Sequence, residues 1–62
     1  MKRKLLIEYL KSHDCIFLNH GKKHDIFVNK MTGKKTTIPR HNDIDEELVD
    51  AICKQFGIPK KR

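Results

Sequence analysis

The sequence has no tryptophan, only two cysteines and no long apolar segment. Its apolar runs fall far short of the roughly 18 residues that a membrane-spanning helix needs. The first residues, MKRKLLIEYLKSHD, interrupt their apolar stretch with Glu8 and Lys11, unlike a signal peptide. Cys15 and Cys53 lie far apart in apolar surroundings, so we expect two reduced thiols and no disulfide. These absences predict a cytoplasmic protein.

The common motifs of cofactor-dependent enzymes are also missing. There is no glycine-rich phosphate loop, and no close pair of carboxylates outside one acidic segment. The four histidines form only loose pairs with each other or with Cys15, unlike the doubled close spacings of a zinc module. We therefore expect neither a metal ion nor a cofactor.

Positive charge is abundant and unevenly distributed. The 62 residues, which we take as a single domain over 1–62, carry a formal net charge of +6. Residues 1–41 hold ten Lys and Arg against three Asp and Glu, whereas residues 42–62 hold four against five. A basic surface on so small a protein favours a polyanionic partner, of which nucleic acid is the commonest.

Hydrophobic periodicity predicts an α+β fold with the element order α-β-β-β-α. Apolar residues recur at helical spacing near the start of the chain, and three β-rich runs follow, separated by glycines. The predicted elements are a helix over about 2–13, strands over about 15–20, 24–30 and 34–39, a helix over about 44–56 and a basic tail over 59–62. We expect a three-stranded antiparallel sheet with both helices on one face, the element order of the double-stranded RNA-binding domain.

The second predicted helix carries signals at both of its ends. Asp43 and Glu46 have the spacing of a capping box, and Gly57 followed by Pro59 marks the C-terminus. The apolar residues that we expect on its buried face are Ile44, Leu48, Ala51, Ile52 and Phe56.

The segment HGKKHDIFVN contains the residue with the clearest potential for chemistry, His24. If that end of the strand is exposed, an imidazole with an unperturbed pKa of about 6.5 could accept a proton from a ribose 2′-hydroxyl. Lys22 and Lys23 would stabilise the charge that develops on the phosphate. The alternative is that His24 is an ordinary surface residue beside solvated lysines, and the residues alone favour that alternative.

A second group of cations lies around the predicted third strand. Lys34, Lys35 and Arg40 form either a solvated rim of the hairpin or an edge that binds RNA phosphates. The two readings are evenly balanced on the residues alone.

The stretches HGKKHDIFVNKMTGKKTTIPRHNDI and ELVDAICKQFGIP together resemble the HicA toxins of bacterial type II toxin–antitoxin systems. The resemblance covers nearly the whole chain. It implies a double-stranded-RNA-binding-like fold, mRNA interferase activity, and an antitoxin of the HicB type that masks the active histidine. The position that matches this histidine is His24, so the resemblance favours a site. The family's spacer before it commonly holds Ser with Asn, Gly or His, whereas Lys22 and Lys23 stand here, and their charges could either strengthen phosphate contact or fill space.

These observations predict a metal-independent endoribonuclease toxin in which His24 is catalytic. Lys22 and Lys23 are expected to hold phosphate, and Lys34, Lys35 and Arg40 to extend the track for RNA. Two alternatives remain, namely an RNA-binding module that does not cleave and an adaptor that binds an acidic protein.

Overall fold

A computed structural model of the protein describes residues 1–60. The chain forms α1 (Arg3–Ser12), β1 (Cys15–His20), β2 (His24–Asn29), β3 (Lys35–Pro39) and α2 (Glu46–Phe56). The predicted element order is therefore confirmed. Residues 61 and 62 of the predicted basic tail lie outside the described residues. None of the helices in residues 1–60 is long and apolar enough to cross a membrane.

The three strands form one antiparallel sheet in the order β1-β2-β3, so β2 is the central strand. The register of β1 on β2 shifts between Phe17 and Asn19, where β1 carries a bulge. Gly33 has a φ of +77°, and this glycine closes the connection from β2 to β3.

The central strand alternates between a face that packs against the helices and an open face. Asp25, Phe27 and Asn29 are buried, whereas Ile26 and Val28 between them are only partly covered and His24 is exposed. Such a period of two is the pattern of a sheet with one packed face. The buried side chains of the core come from both helices and all three strands, and include Leu6, Leu10, Cys15, Phe27, Ile38, Val49, Ile52, Cys53 and Phe56. Both cysteines are free thiols, as predicted.

The start of α2 differs from the predicted capping box. The helix begins at Glu46, and its N-cap Asp45 makes no side-chain capping bond. Asp43 instead bridges with Lys2, because the first residues of the chain run antiparallel to the segment before α2. The amide of Ile44 donates to the Met1 carbonyl at 2.7 Å, and Ile44 is buried in this extended segment. Backbone pairing with the N-terminus therefore replaces the helical turn expected over 44–45.

The buried face of α2 is also rotated from the one predicted. Its buried residues are Val49, Ile52, Cys53 and Phe56, whereas Leu48 is 40% exposed and Ala51 is exposed. Residues 49, 52, 53 and 56 follow helical spacing on their own, so Ile44 is not needed to complete the stripe. The predicted C-terminus is confirmed, because Gly57 has a φ of +73° and Ile58 donates its amide to the Cys53 carbonyl at 3.0 Å.

Asn29 links the turn end of the β2–β3 hairpin to the end of α2. Its side chain, buried at the end of β2, donates to the Phe56 carbonyl at 2.9 Å and accepts the Met31 amide at 2.9 Å. Both polar groups of a buried amide are therefore paired, one of them with a helix C-terminal carbonyl that has no partner inside its own helix. This contact holds the hairpin against the core.

Candidate active site

The candidate site lies at the connection between β1 and β2, at the end of the sheet opposite Asn29. Gly21 donates its amide to the His24 carbonyl at 2.7 Å, so Lys22 and Lys23 alone span the gap. A Cβ built on Gly21 would lie 2.9 Å from that carbonyl oxygen, closer than real Cβ atoms come. Only glycine therefore allows the two strands to approach this closely at the tip.

His24 is the first residue of β2 and is exposed. It pairs with Pro39 of β3, and it lies on the open face because it alternates with the buried Asp25. Among the described residues, its imidazole has no hydrogen-bond partner. Both ring nitrogens are therefore available to a ligand on this face.

The structure brings two of the five predicted cationic residues next to His24 in the loop itself. Lys22 and Lys23 are exposed and directly precede the histidine. Lys35 pairs with Val28, four residues along β2 from His24, which at about 3.3 Å per residue is a separation of roughly 13 Å. A phosphate at His24 is within reach of the loop lysines, whereas Lys35 would contact a neighbouring part of an extended chain.

Lys34 lies at the same far end of the sheet and faces the end of α2. Its ammonium nitrogen is 3.6 Å from the position that a Cβ on Gly57 would occupy. A cation there interacts favourably with the carbonyl-rich C-terminus of a helix. The structure therefore does not bring Lys34 to the histidine.

Arg40 follows β3 and reaches across to the β1–β2 loop. Its Nη2 donates to the Gly21 carbonyl at 2.9 Å and lies 3.5 Å from the His24 carbonyl. Its Nε donates to Asp25 Oδ1 at 3.1 Å. The guanidinium is thus close to the site, but its Nε and Nη2 donors point at the protein.

Asp25 is the residue beneath the site that the sequence analysis did not single out. It is only 9% exposed and contacts two arginines and one histidine from three different parts of the chain. Its Oδ2 accepts from Arg3 at 2.7 Å, and its Oδ1 contacts His20 Nδ1 at 2.8 Å as well as Arg40. The hydrogen bond with His20 lowers the pKa of Asp25 most, burial opposes that shift, and the bond and charge of Arg40 add to the lowering. Asp25 is therefore a carboxylate at neutral pH.

His20 is the second histidine at this tip, and sequence reasoning missed its partner. It lies opposite Asp25 in the register of β1 and β2, on the other face of the sheet from His24. Its ring is 74% exposed and is also in edge contact with Phe17, with ring centroids 4.9 Å apart. The signal for this pair was present, because a hairpin closed at Gly21 and His24 places residues 20 and 25 opposite each other.

Two other kinds of site have less support in the structure than the tip of the β1–β2 hairpin. Within residues 1–60, no group of three His, Cys, Asp or Glu side chains could hold a metal ion. A shallow groove of about 560 Å³ runs along α1 and is lined by Lys2, Arg3, Lys4, Ile7, Glu8, Lys11 and Asn42. Arg3 pairs with Asp25 and Lys2 lies 4.0 Å from Asp43, which leaves only Lys4 and Lys11 against Glu8 to attract an anion there.

Comparison with known proteins gives one match. The sequence model described as HicA toxin of bacterial toxin–antitoxin matches residues 3–58, which is nearly the whole chain. Neither the curated proteins nor the solved structures gave a match. The matched range includes both helices, the whole sheet and every residue of the candidate site.

Proposed function

This chain belongs to the HicA toxin family of bacterial toxin–antitoxin systems, and from that premise we propose that it is a cytoplasmic, metal-independent mRNA interferase. In this proposal His24 is the catalytic residue, and a HicB-type antitoxin neutralises the toxin by covering it. The family supports a toxin with an antitoxin partner and an RNA substrate. The residues and the reaction are our assignment.

The observation that carries the proposal is the position of His24. An unpaired imidazole stands on the open face of the sheet, directly after two exposed lysines. A base needs an accessible nitrogen, and the charge that develops on a phosphate needs nearby cations. The tip of the β1–β2 hairpin offers both within three consecutive residues.

The proposed reaction uses the substrate's own hydroxyl as the nucleophile. His24 accepts the proton of a ribose 2′-hydroxyl, and the resulting 2′-oxygen attacks the adjacent phosphorus. The bond from phosphorus to the 5′-oxygen breaks, and that oxygen takes a proton from water. The products are a 2′,3′-cyclic phosphate and a 5′-hydroxyl. Lys22 and Lys23 stabilise the negative charge on the phosphoryl oxygens.

The other predicted RNA contacts divide according to their position. Lys35 is exposed and far enough along the sheet to bind a neighbouring phosphate, so we include it in the RNA track. Lys34 and Arg40, which were also expected to contact RNA, each have the protein environment described above, so the proposed RNA track does not include them.

The test is cleavage of an end-labelled RNA by the purified protein, with and without EDTA. We expect cleavage in EDTA, fragments ending in a cyclic phosphate, and no cleavage of a matched RNA with 2′-deoxyribose at the cut site. His24→Ala should fold normally, because the side chain is exposed, and should neither cleave RNA nor arrest growth when expressed alone.

The outcomes separate the proposal from its alternatives. Binding without cleavage by the unmodified protein would favour a non-catalytic RNA-binding module, and no interaction with RNA would favour a protein-binding adaptor. Fragments with a 3′-hydroxyl and a 5′-phosphate would make water the nucleophile and remove the proposed role of His24. Equal activity of His24→Ala and the unmodified protein would do the same.

A further inference from the structure

The loop that carries the candidate site lacks the geometry that usually stabilises a two-residue hairpin connection. The favoured turns need a positive φ at the first loop residue or at both. Within residues 1–60, Asp14 is the only residue other than glycine with a positive φ, so neither Lys22 nor Lys23 provides one. The loop therefore does not follow the twist of its strands by itself, and something else has to hold it.

The backbone bonds of the loop show the same deficiency. Gly21 donates to the His24 carbonyl, but in the described part of the chain the reciprocal bond from the His24 amide to the Gly21 carbonyl is absent. The Gly21 carbonyl accepts from Arg40 Nη2 at 2.9 Å instead. A side chain from the end of β3 thus occupies the place of the second backbone bond.

Arg40 is itself held in place by Asp25. Asp25 Oδ1 accepts its Nε at 3.1 Å, while Asp25 Oδ2 accepts from Arg3, which also donates to the Pro39 carbonyl at 2.8 Å. The carboxylate is buried, so it offers a fixed anchor and has little freedom of its own. The contacts run without a gap from α1 through Asp25 and Arg40 to the backbone on both sides of the loop lysines.

We propose that Arg40, anchored by Asp25, is a positioning residue that fixes the backbone on either side of Lys22 and Lys23 and thereby sets the place of His24. The proposal rests on the proposed function for its catalytic consequence. It differs from a role in RNA binding, in which the guanidinium would leave these carbonyls for a phosphate. A planar guanidinium can donate to Asp25 and to the loop carbonyl at once, and a single ammonium cannot reproduce that geometry.

The test is Arg40→Lys, which keeps the charge and removes the planar fork. We expect its RNA affinity and the salt dependence of that affinity to equal those of the unmodified protein. We expect the cleavage rate at saturating RNA to fall by about 100-fold, the cost of a misplacement of about 1 Å at a reacting group. Lys54→Ala, which removes one charge from an exposed site on α2, is the control and should change neither quantity.

Two results would overturn the proposal. One is an Arg40→Lys protein that cleaves saturating RNA at the unmodified rate. The other is an Arg40→Ala protein whose only defect is weaker binding with a salt slope lower by about one contact, since that is the signature of a lost phosphate ligand.

Two further measurements keep the proposal testable if cleavage or folding fails. If Arg40→Lys does not fold, amide and guanidinium proton exchange in the unmodified protein decides. Slow exchange of the Arg40 Nε proton without RNA supports the anchor, and exchange as fast as in a free arginine contradicts it. If the unmodified protein does not cleave RNA, the proposed function fails by itself, and exchange of the Gly21 amide in Arg40→Lys still tests the loop. Faster exchange supports the proposal, and unchanged exchange overturns it.

Discussion

Replacing Gly21 with alanine should impair the site more than the fold. The new Cβ would lie 2.9 Å from the His24 carbonyl oxygen, and an ordinary contact begins at 3.4 Å, so one of them must move by about 0.5 Å. The oxygen belongs to the backbone of His24, the proposed catalytic residue, and accepts the Gly21 amide at 2.7 Å. Relief of the contact therefore either moves His24 itself or shifts the Gly21 backbone that is hydrogen-bonded to it.

The expected losses of cleavage rate and of stability both follow from this displacement. If a misplacement of about 1 Å costs roughly 100-fold in rate, then half of that distance should cost about tenfold at saturating RNA. The stability cost is the weakened bond from Gly21 to His24, about 0.5–1.5 kcal/mol. For a domain of this size, each kcal/mol shifts the midpoint of thermal unfolding by about 4–8 °C.

Gly33→Ala is the matched control, because it is strained without a steric neighbour. Gly33 has a φ of +77°, where a residue with a Cβ costs about 1–2 kcal/mol. No atom lies within 4 Å of its added Cβ. This variant should lose similar stability and keep the cleavage rate of the unmodified protein.

The assay combines thermal unfolding, followed by circular dichroism, with single-turnover cleavage at saturating RNA. Gly21→Ala should be slow in cleavage at a temperature where both variants are fully folded, and Gly33→Ala should not. Equal cleavage rates of the two variants would show that the close approach at Gly21 does not set the position of His24.

Two further predictions concern charge. Lys35→Ala should reduce the magnitude of the slope of log affinity against log salt by about 0.7, the value for one contact with single-stranded nucleic acid. Lys34→Ala should leave that slope unchanged, because the ammonium of Lys34 lies near the end of α2. Equal slopes for the two variants would contradict the assignment of RNA contact to Lys35 and not to Lys34. The pKa of Asp25 is lowered from the ordinary 3.8, so its stabilising effect is complete above that value and is lost as the pH falls through the lower folded pKa. Urea unfolding at neutral and acid pH should therefore show less acid sensitivity in Asp25→Asn than in the unmodified protein, and equal sensitivity would contradict the pairing.

The sequence predicted the elements well where a local signal and the tertiary contacts agree. Gly57 ends α2 as expected, because a positive φ and the contact from Ile58 are both local properties. The predicted start of α2 was wrong because the segment that competes with the helical turn is remote in the sequence. Met1 exchanges two hydrogen bonds with Ile44. No pattern within residues 43–46 indicates pairing with an extended segment more than forty residues earlier.

The candidate site was predictable only in part, because some of its features are local to the sequence and others depend on remote contacts. Position and chemistry made His24 a candidate, and the resemblance to the HicA toxins favoured it as a site. Its exposure on the first residue of β2 depends only on the strand's alternation. The environment of Arg40 was not predictable, because it depends on which of several possible anions it meets. Asp25 was read as a strand residue, and only the packed structure shows that Arg3 from α1 and Arg40 from the end of β3 converge on it.

The alternation of β2 also separates the two tasks of this short strand. Its odd-numbered residues, Asp25, Phe27 and Asn29, face the helices and hold α1, the core and the end of α2. Its even-numbered residues face away from the core, and His24 is the one among them at the tip. A substitution at His24 can therefore remove chemistry without loosening the fold, because it breaks no core contact. One at Asp25 removes contacts with Arg3, His20 and Arg40 at once and reaches the site through Arg40. We therefore expect substitutions at positions 24 and 25 to differ in kind. A substitution at His24 should lose the reaction alone, whereas one at Asp25 should lose both the order of the loop and part of the stability.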